Sequence, residues 1–238
     1  LCGETDLKNN IEKYFNGSII NETEKRAVLH TALRSSEIKN PNLKKEVNDT
    51  LDKIISISDE INSGKKLGYT GKKITDVVNI GIGGSHLGPE MVTEALSYYS
   101  HGVKPHFVSN IDPDFTSKLL EKLNPETTVF VIVSKTFTTI ETLENAKKIR
   151  KWFIDKVNVE SIKDHFIAVS NNTEAPKDFG ILPVNVLSIP EWVGGRFSLW
   201  GSVGLIISIV IGSKNFKEFL KGAESMDLHF RNSPFEKN

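Results

Sequence analysis

Apolar positions along the 238 residues change their period once. From residue 1 to 66 they recur at helical spacing in a polar background. Thr23, Glu24, Ala27, Val28, Leu29, Ala32 and Leu33 predict one amphipathic helix, and Val47, Leu51, Ile54, Ile55, Ser58 and Ile61 predict a second. The stretch Ser63-Gly64-Lys65-Lys66-Leu67-Gly68-Tyr69-Thr70-Gly71 breaks this pattern and marks a boundary. Beyond it, short apolar runs alternate with helical stretches. Strands are predicted over 76–81, 104–109, 128–134, 165–170 and 184–188, and helices over 88–100, 113–123 and 139–155. Asp112 followed by Pro113 is an N-cap with proline in the first turn, and Thr138-x-x-Glu141 is a candidate capping box. This alternation predicts the α/β class, with a parallel sheet covered on both faces and ligands at the carboxyl ends of its strands. The most apolar run, 203–211, has about half of the roughly 20 residues a membrane span needs and reads as a buried core helix.

Composition narrows the partners. Thirty basic and thirty acidic residues cancel, which gives no support to nucleic acid or an anionic membrane as partner. The single cysteine, Cys2, excludes an internal disulfide and a cysteine metal cluster, and points to a reducing, cytoplasmic setting. The first residues lack the basic start and apolar stretch of a signal peptide. They also lack an initiator Met, so the chain reads as an excised piece. The histidines at 30, 86, 101, 106, 165 and 229 show no metal-binding spacing; His30, inside a helical pattern, reads as a packed core residue.

Three segments carry candidate chemistry, each at a predicted junction into a helix. In 79–89, Gly81-Ile82-Gly83-Gly84-Ser85 follows a strand, and its backbone N–H groups suit an anion. The dinucleotide fingerprint fails because His86 holds its third glycine position, and the Walker pattern fails because Pro89 and Glu90 follow Gly88; a plain tight turn stays open. Ser134-Lys135-Thr136-Phe137-Thr138-Thr139 places four hydroxyls and a cation at the end of a very apolar strand, which suits a phosphate. Helix capping by Thr138 or Thr139 is its structural reading. In Val193-Gly194-Gly195-Arg196-Phe197-Ser198, an arginine with its planar fork of donors follows two glycines. A purely structural arginine there would pair with Glu191. The predicted strand ends of the first two segments are neighbours, so one phosphate could touch both.

Stretches 19–34, 79–89, 133–141 and 192–204 together resemble the glucose-6-phosphate isomerase family, in order as well as in spacing. The resemblance implies a three-layer sugar-isomerase (SIS) α/β domain with a parallel sheet. It divides the chain into an N-terminal helical segment (1–66), a first sugar-isomerase domain (67–233) and the start of a connection to a second (234–238). It implies reversible aldose–ketose isomerisation of glucose 6-phosphate and fructose 6-phosphate through a cis-enediolate, in a cytoplasmic homodimer that needs no metal or organic cofactor. By motif, Gly84, Ser85, Ser134, Lys135, Thr136, Thr139 and Gly195 resemble substrate-binding positions, and Arg196 the residue that stabilises the enediolate. His86 departs from the family's usual Asp; a histidine is still able to cap the following helix, and the expected effect of the departure is small. The family's proton-transferring Glu and ring-opening His fall beyond a position like Asn238, so the chain alone is expected to be inactive. The alternative is a sugar-phosphate-binding SIS module without catalysis.

Overall fold

The computed structural model describes residues 6–100, 102–158 and 160–238; Cys2, the other extreme N-terminal residues and His101 lie outside them. Helix α1 (Leu7–Asn16) leads into a short antiparallel hairpin, β1 (Ile19–Asn21) and β2 (Arg26–Ala27), then a 3₁₀ turn over His30–Arg34 and the long helix α2 (Pro41–Ser63). The parallel sheet follows: β3 (Asp76–Ile80), β4 (Lys104–Val108), β5 (Thr128–Val133), β6 (Phe166–Val169) and β7 (Val186–Leu187). Between and after the strands lie α3 (Leu87–Ala95), α4 (Pro113–Lys122), α5 (Ile140–Lys156), α6 (Ile162–His165), α7 (Glu174–Asp178), α8 (Leu205–Ile211) and α9 (Ser213–Asn232). All five predicted strands of the sheet are present, each within a few residues of the apolar run that announces it.

The helix expected around residues 23–33 does not form. Asn21 is the reason: its side-chain oxygen accepts from the Glu24 N–H at 3.0 Å, while its amide donates to the Glu24 carboxylate at 2.7 Å. This local turn competes with a helix start, and Lys25 completes the reversal at φ 52°. Ala32 and Leu33 are nevertheless buried, in the 3₁₀ turn. The second predicted helix is real and longer than its apolar pattern. Asn40 accepts from Asn42 and Leu43, and Pro41 opens the first turn, which is the N-cap arrangement of a strong helix start.

The strand order is β4-β3-β5-β6-β7, every pair parallel. Alternation on the buried strands sorts side chains into two layers. Val77, Val129, Val131, Val133, Ile167 and Val169 face α2, α3 and α8. Val78, Ile80, Phe130, Ile132, Phe166 and Ala168 face α4 and α5. Burying each large apolar side chain contributes about 1.5–3 kcal/mol, against about 1 kcal/mol for a helix cap, so these two layers hold the frame. Helix α8 is buried along its whole length. Helix α2 is fastened to it by Ser58 Oγ donating to the Ser208 carbonyl (2.7 Å) and Asn62 Nδ2 donating to that of Ile209 (3.1 Å). Among the described residues no helix is long and apolar enough to cross a membrane.

One expected cap is formed as read: Asp112 accepts from Asp114 and Phe115 at the start of α4. Asp112→Ala is expected to cost about 1 kcal/mol, seen as a melting temperature lower by about 2–4 °C; an unchanged melting temperature would show that water replaces the cap at no cost.

Candidate functional site

Strand β3 has β4 on one side and β5 on the other. The connection after β3 runs to α3 on one face, and the connection after β5 runs to α5 on the other. The two loops diverge and leave a crevice at the strand ends, where open parallel sheets bind ligands. The three chemical segments meet there because side chains are missing at two glycines. A Cβ at Gly81 would lie 2.8 Å from Ser85 Cβ and 3.2 Å from the Val133 carbonyl oxygen, so the first loop folds tightly against the end of β5. A Cβ at Gly84 would lie 2.3 Å from both the carbonyl carbon and oxygen of Gly195 and 2.8 Å from the Arg196 nitrogen. Main chain therefore rests on main chain, which only glycine permits. At Gly195 a Cβ would meet nothing within 4 Å, so that backbone is open to a ligand.

Buried Asn79 on β3 steadies the first loop by donating to the Ser85 carbonyl at 2.9 Å. His86 does not cap α3. Its Nε2 instead lies 2.9 Å from the Glu90 carboxylate, one turn on.

In the second loop Ser134 is buried and its hydroxyl lies 3.1 Å from that of Thr139, while Thr136 and Thr138 pair their hydroxyls at 2.6 Å nearer the surface. The capping box at Thr138 is thus absent; Thr139 stands at the N-cap position of α5 without a side-chain cap bond. The loop closes through Phe137, whose φ of 56° places a bulky residue in the left-handed region at a cost of about 1–3 kcal/mol. Burial of its ring, edge-on to Phe179 at 6.1 Å, holds it there. Such strain marks a loop whose shape is imposed by its surroundings.

Lys135 and Arg196 differ in what they touch. Lys135 Nζ lies 3.2 Å from the Glu191 carboxylate, which also accepts from Asn171 Nδ2 at 2.9 Å. The Asn171 bond first, then Lys135, holds Glu191 below the usual carboxylate range. Glu191 thus partners Lys135 rather than Arg196. Among the described residues Arg196 makes no ion pair; it is exposed, and its guanidinium sits 4.9 Å over the Phe197 ring.

Behind it stand residues for which the sequence motifs suggest no role. The Phe197 ring stacks on His30 at 4.1 Å and 5°. His30 Nε2 lies 2.7 Å from Tyr14 Oη, and its Nδ1 accepts from Arg34 at 3.3 Å. Arg34 is held bidentately by Asp227 of α9, at 2.6 and 2.8 Å. Arg26 pairs with Glu24 and reaches the face of Gly194. Stretch 19–34 therefore backs the arginine segment. Its family-like wording is the available sequence signal, and it does not disclose these contacts. Among the described residues no group of three His, Cys, Asp or Glu could hold a metal ion.

At the switch point of this open parallel α/β sheet the structure brings together hydroxyls, a lysine and an arginine that has no ion pair among the described residues, in a sugar-isomerase type of fold. The phosphoglucose isomerase family model matches residues 1–238. Among curated relatives, the glucose-6-phosphate isomerase of Christiangramia forsetii is 50% identical over 243 residues, and that of Helicobacter pylori (strain Shi470) is 52% identical over 245. Each comparison covers 100% of this chain and 45% of the relative, so the chain spans about half the length of these proteins. The crystal structure of a glucose-6-phosphate isomerase from Chlamydia trachomatis superposes with a TM-score of 0.85 at 29% identity, over 97% of this chain and 45% of that one. A hypothetical protein from Thermus thermophilus, at 23% identity and a TM-score of 0.73 over 99% of this chain and 50% of that one, shares the fold. The chain belongs to the phosphoglucose isomerase family.

Two measurements test the geometry. Gly84→Ala forces the loop off the Gly195–Arg196 backbone; a lower melting temperature and weaker binding of inorganic phosphate are expected, and unchanged values of both would show the contact to be dispensable. The second concerns pH. Burial, with the Arg34 charge beside it, lowers the His30 imidazole to about 4, whereas in the unfolded chain it titrates near 6.5. Between these values only the unfolded chain takes up the proton. The stability carried by neutral His30 is complete above about pH 6.5 and is lost as pH falls toward about 4, at up to about 1.4 kcal/mol per unit. Buried His165, also lowered by desolvation, adds a change of the same sign. Urea midpoints between about pH 7 and pH 5 should fall less steeply in His30→Phe than in the parent; equal slopes would remove His30 from the account.

Proposed function

We propose that the protein of which these residues form part is a glucose-6-phosphate isomerase, interconverting glucose 6-phosphate and fructose 6-phosphate through a cis-enediolate. The observation that carries this reading is the seating of the Arg196 backbone on Gly84, which joins an unpaired guanidinium to a hydroxyl-rich loop pair. Ser85, Ser134, Lys135, Thr136 and Thr139, with the Gly84 backbone, hold the phosphate. To do so Lys135 exchanges its exposed Glu191 partner for the substrate, at little cost because exposed ion pairs contribute about 0–1 kcal/mol. The phosphate grip supplies binding energy that orients the reacting carbons.

Chemistry then centres on C1 and C2, which face Gly195 and Arg196. A carboxylate removes the proton from one carbon and returns it to the other, and negative charge builds on the enediolate oxygens in between. A fixed guanidinium aimed at those oxygens lowers the barrier. The proton moves between adjacent carbons with no net change in electrons, so the reaction needs no redox cofactor. We infer that the proton-transferring carboxylate and the ring-opening histidine belong to sequence outside these 238 residues, and that the purified chain by itself binds sugar phosphate weakly without turnover. In the same reading, 67–233 is the first of two sugar-isomerase domains, 1–66 is an N-terminal extension of it, and the whole enzyme is a cytoplasmic homodimer.

Arg196→Lys in the full-length enzyme keeps the charge but loses the planar fork. It is expected to lower kcat by about a hundredfold, the cost of removing one aimed donor, with the melting temperature nearly unchanged. Full turnover in that variant would return Arg196 to a structural role. Binding of fructose 6-phosphate with no turnover in the full-length parent would favour a sugar-phosphate module without catalysis.

A further inference from the structure

We propose that His30 is a positioning residue for Arg196: its imidazole, stacked flat on Phe197, fixes the ring on which the guanidinium rests. The inference rests on the proposed role of Arg196 and goes beyond it, because it concerns how an arginine without a carboxylate partner is aimed. A carboxylate would orient a guanidinium but also neutralise it, and the charge meant for the enediolate would be spent in the resting enzyme. An aromatic face orients the same group through the ring quadrupole and leaves its N–H donors free. Arg196 has such a face in Phe197, at 4.9 Å, and among the described residues no acidic partner.

Phe197 can aim Arg196 only if its own ring is held. His30 supplies one whole face of it, at 4.1 Å and 5° from parallel. Hydrogen bonds on both ring nitrogens satisfy the buried imidazole and also hold its plane. Here Nε2 meets Tyr14 Oη at 2.7 Å and Nδ1 accepts from Arg34 at 3.3 Å, so both edges are pinned and ring rotation is blocked. Arg34, being a donor only, requires the lone pair on Nδ1, which puts the proton on Nε2 toward Tyr14. Arg34 is itself clamped by Asp227 and lies 4.7 Å over Trp200. A continuous run of contacts thus extends from α9 through Arg34, His30 and Phe197 to Arg196. Its last member is exposed, while His30 is only 8% exposed.

The test uses the full-length enzyme and separates aiming from folding. His30→Ala removes the stacked face, and His30→Phe restores a flat ring while giving up both hydrogen bonds. Both are expected to melt lower than the parent. His30→Ala should lower kcat about tenfold, in line with the cost of small misplacements at a reacting centre, with KM for fructose 6-phosphate within about twofold, while His30→Phe recovers most of the lost kcat. Added to Arg196→Lys, His30→Ala should lower kcat by less than about a further twofold, since it acts through the same group. Equal kcat losses in His30→Ala and His30→Phe, a loss confined to KM, or a full tenfold loss on top of Arg196→Lys would each overturn the proposal. Should His30→Ala fail to fold, Phe197→Leu answers the same question: a lowered kcat at unchanged KM supports it, and parental kcat sinks it. Failure of the isomerase reading shows up separately, as Arg196→Lys with undiminished turnover.

Discussion

The candidate site depends on one steric constraint, the close approach of two backbones. Gly84 lies so near the Gly195–Arg196 peptide that a single methyl group would overlap it. Nothing attractive on the scale of an ion pair is needed to explain the convergence. The buried apolar layers press the loop after β3 and the arginine turn together, and the glycine removes what would keep them apart. Because the contact is main chain to main chain, it sets the origin of the Arg196 side chain more firmly than any exposed charge pair would.

Electrostatics around the site divides by depth. At the rim, Lys135 and Glu191 form an exposed pair; in the interior, Asp227 and Arg34 form a bidentate pair of which the Arg34 side chain is only 5% exposed. Breaking the interior pair would strand a desolvated charge, whereas opening the outer one costs little. The burial that keeps His30 neutral also pushes the Tyr14 phenol up to about 12, so the pair backing the arginine stays uncharged across the physiological range. The interior pair is thus buried and fixed, and the outer pair is open to solvent.

Where sequence reading succeeded and failed has a physical pattern. The strands were legible because a doubly covered parallel sheet demands continuous apolar runs, and Val129-Phe130-Val131-Ile132-Val133 is buried on both faces. The start of α4 was legible because Asp112 and Pro113 act on their own backbone. The expected helix over 23–33 failed because apolar spacing says which residues are buried, not which backbone buries them, and the Asn21 turn decided for a hairpin. The capping box at Thr138 failed because its hydroxyl found Thr136 first. His86, able to cap by its position, instead reached Glu90. Each failure is a short polar side chain, or a ring, choosing between partners whose energies differ by a fraction of a kcal/mol, a margin that spacing along a chain does not resolve.

By itself the sequence determined the α/β class, the succession of strands and helices in the sheet, and the three segments proposed to carry the chemistry, because periodicity, glycine and hydroxyl content act locally. The family followed from the wording of those segments. The tertiary structure alone decided that Glu191 serves Lys135 and not Arg196, that Gly84 seats the arginine backbone, and that His30, Tyr14 and Arg34 from the first 34 residues stand behind Phe197. Together with the Arg34–Asp227 pair beneath them, those pairings join residues up to 193 positions apart. They arise when separate elements are packed against one sheet, and packing geometry is a property of the whole fold rather than of any stretch of chain.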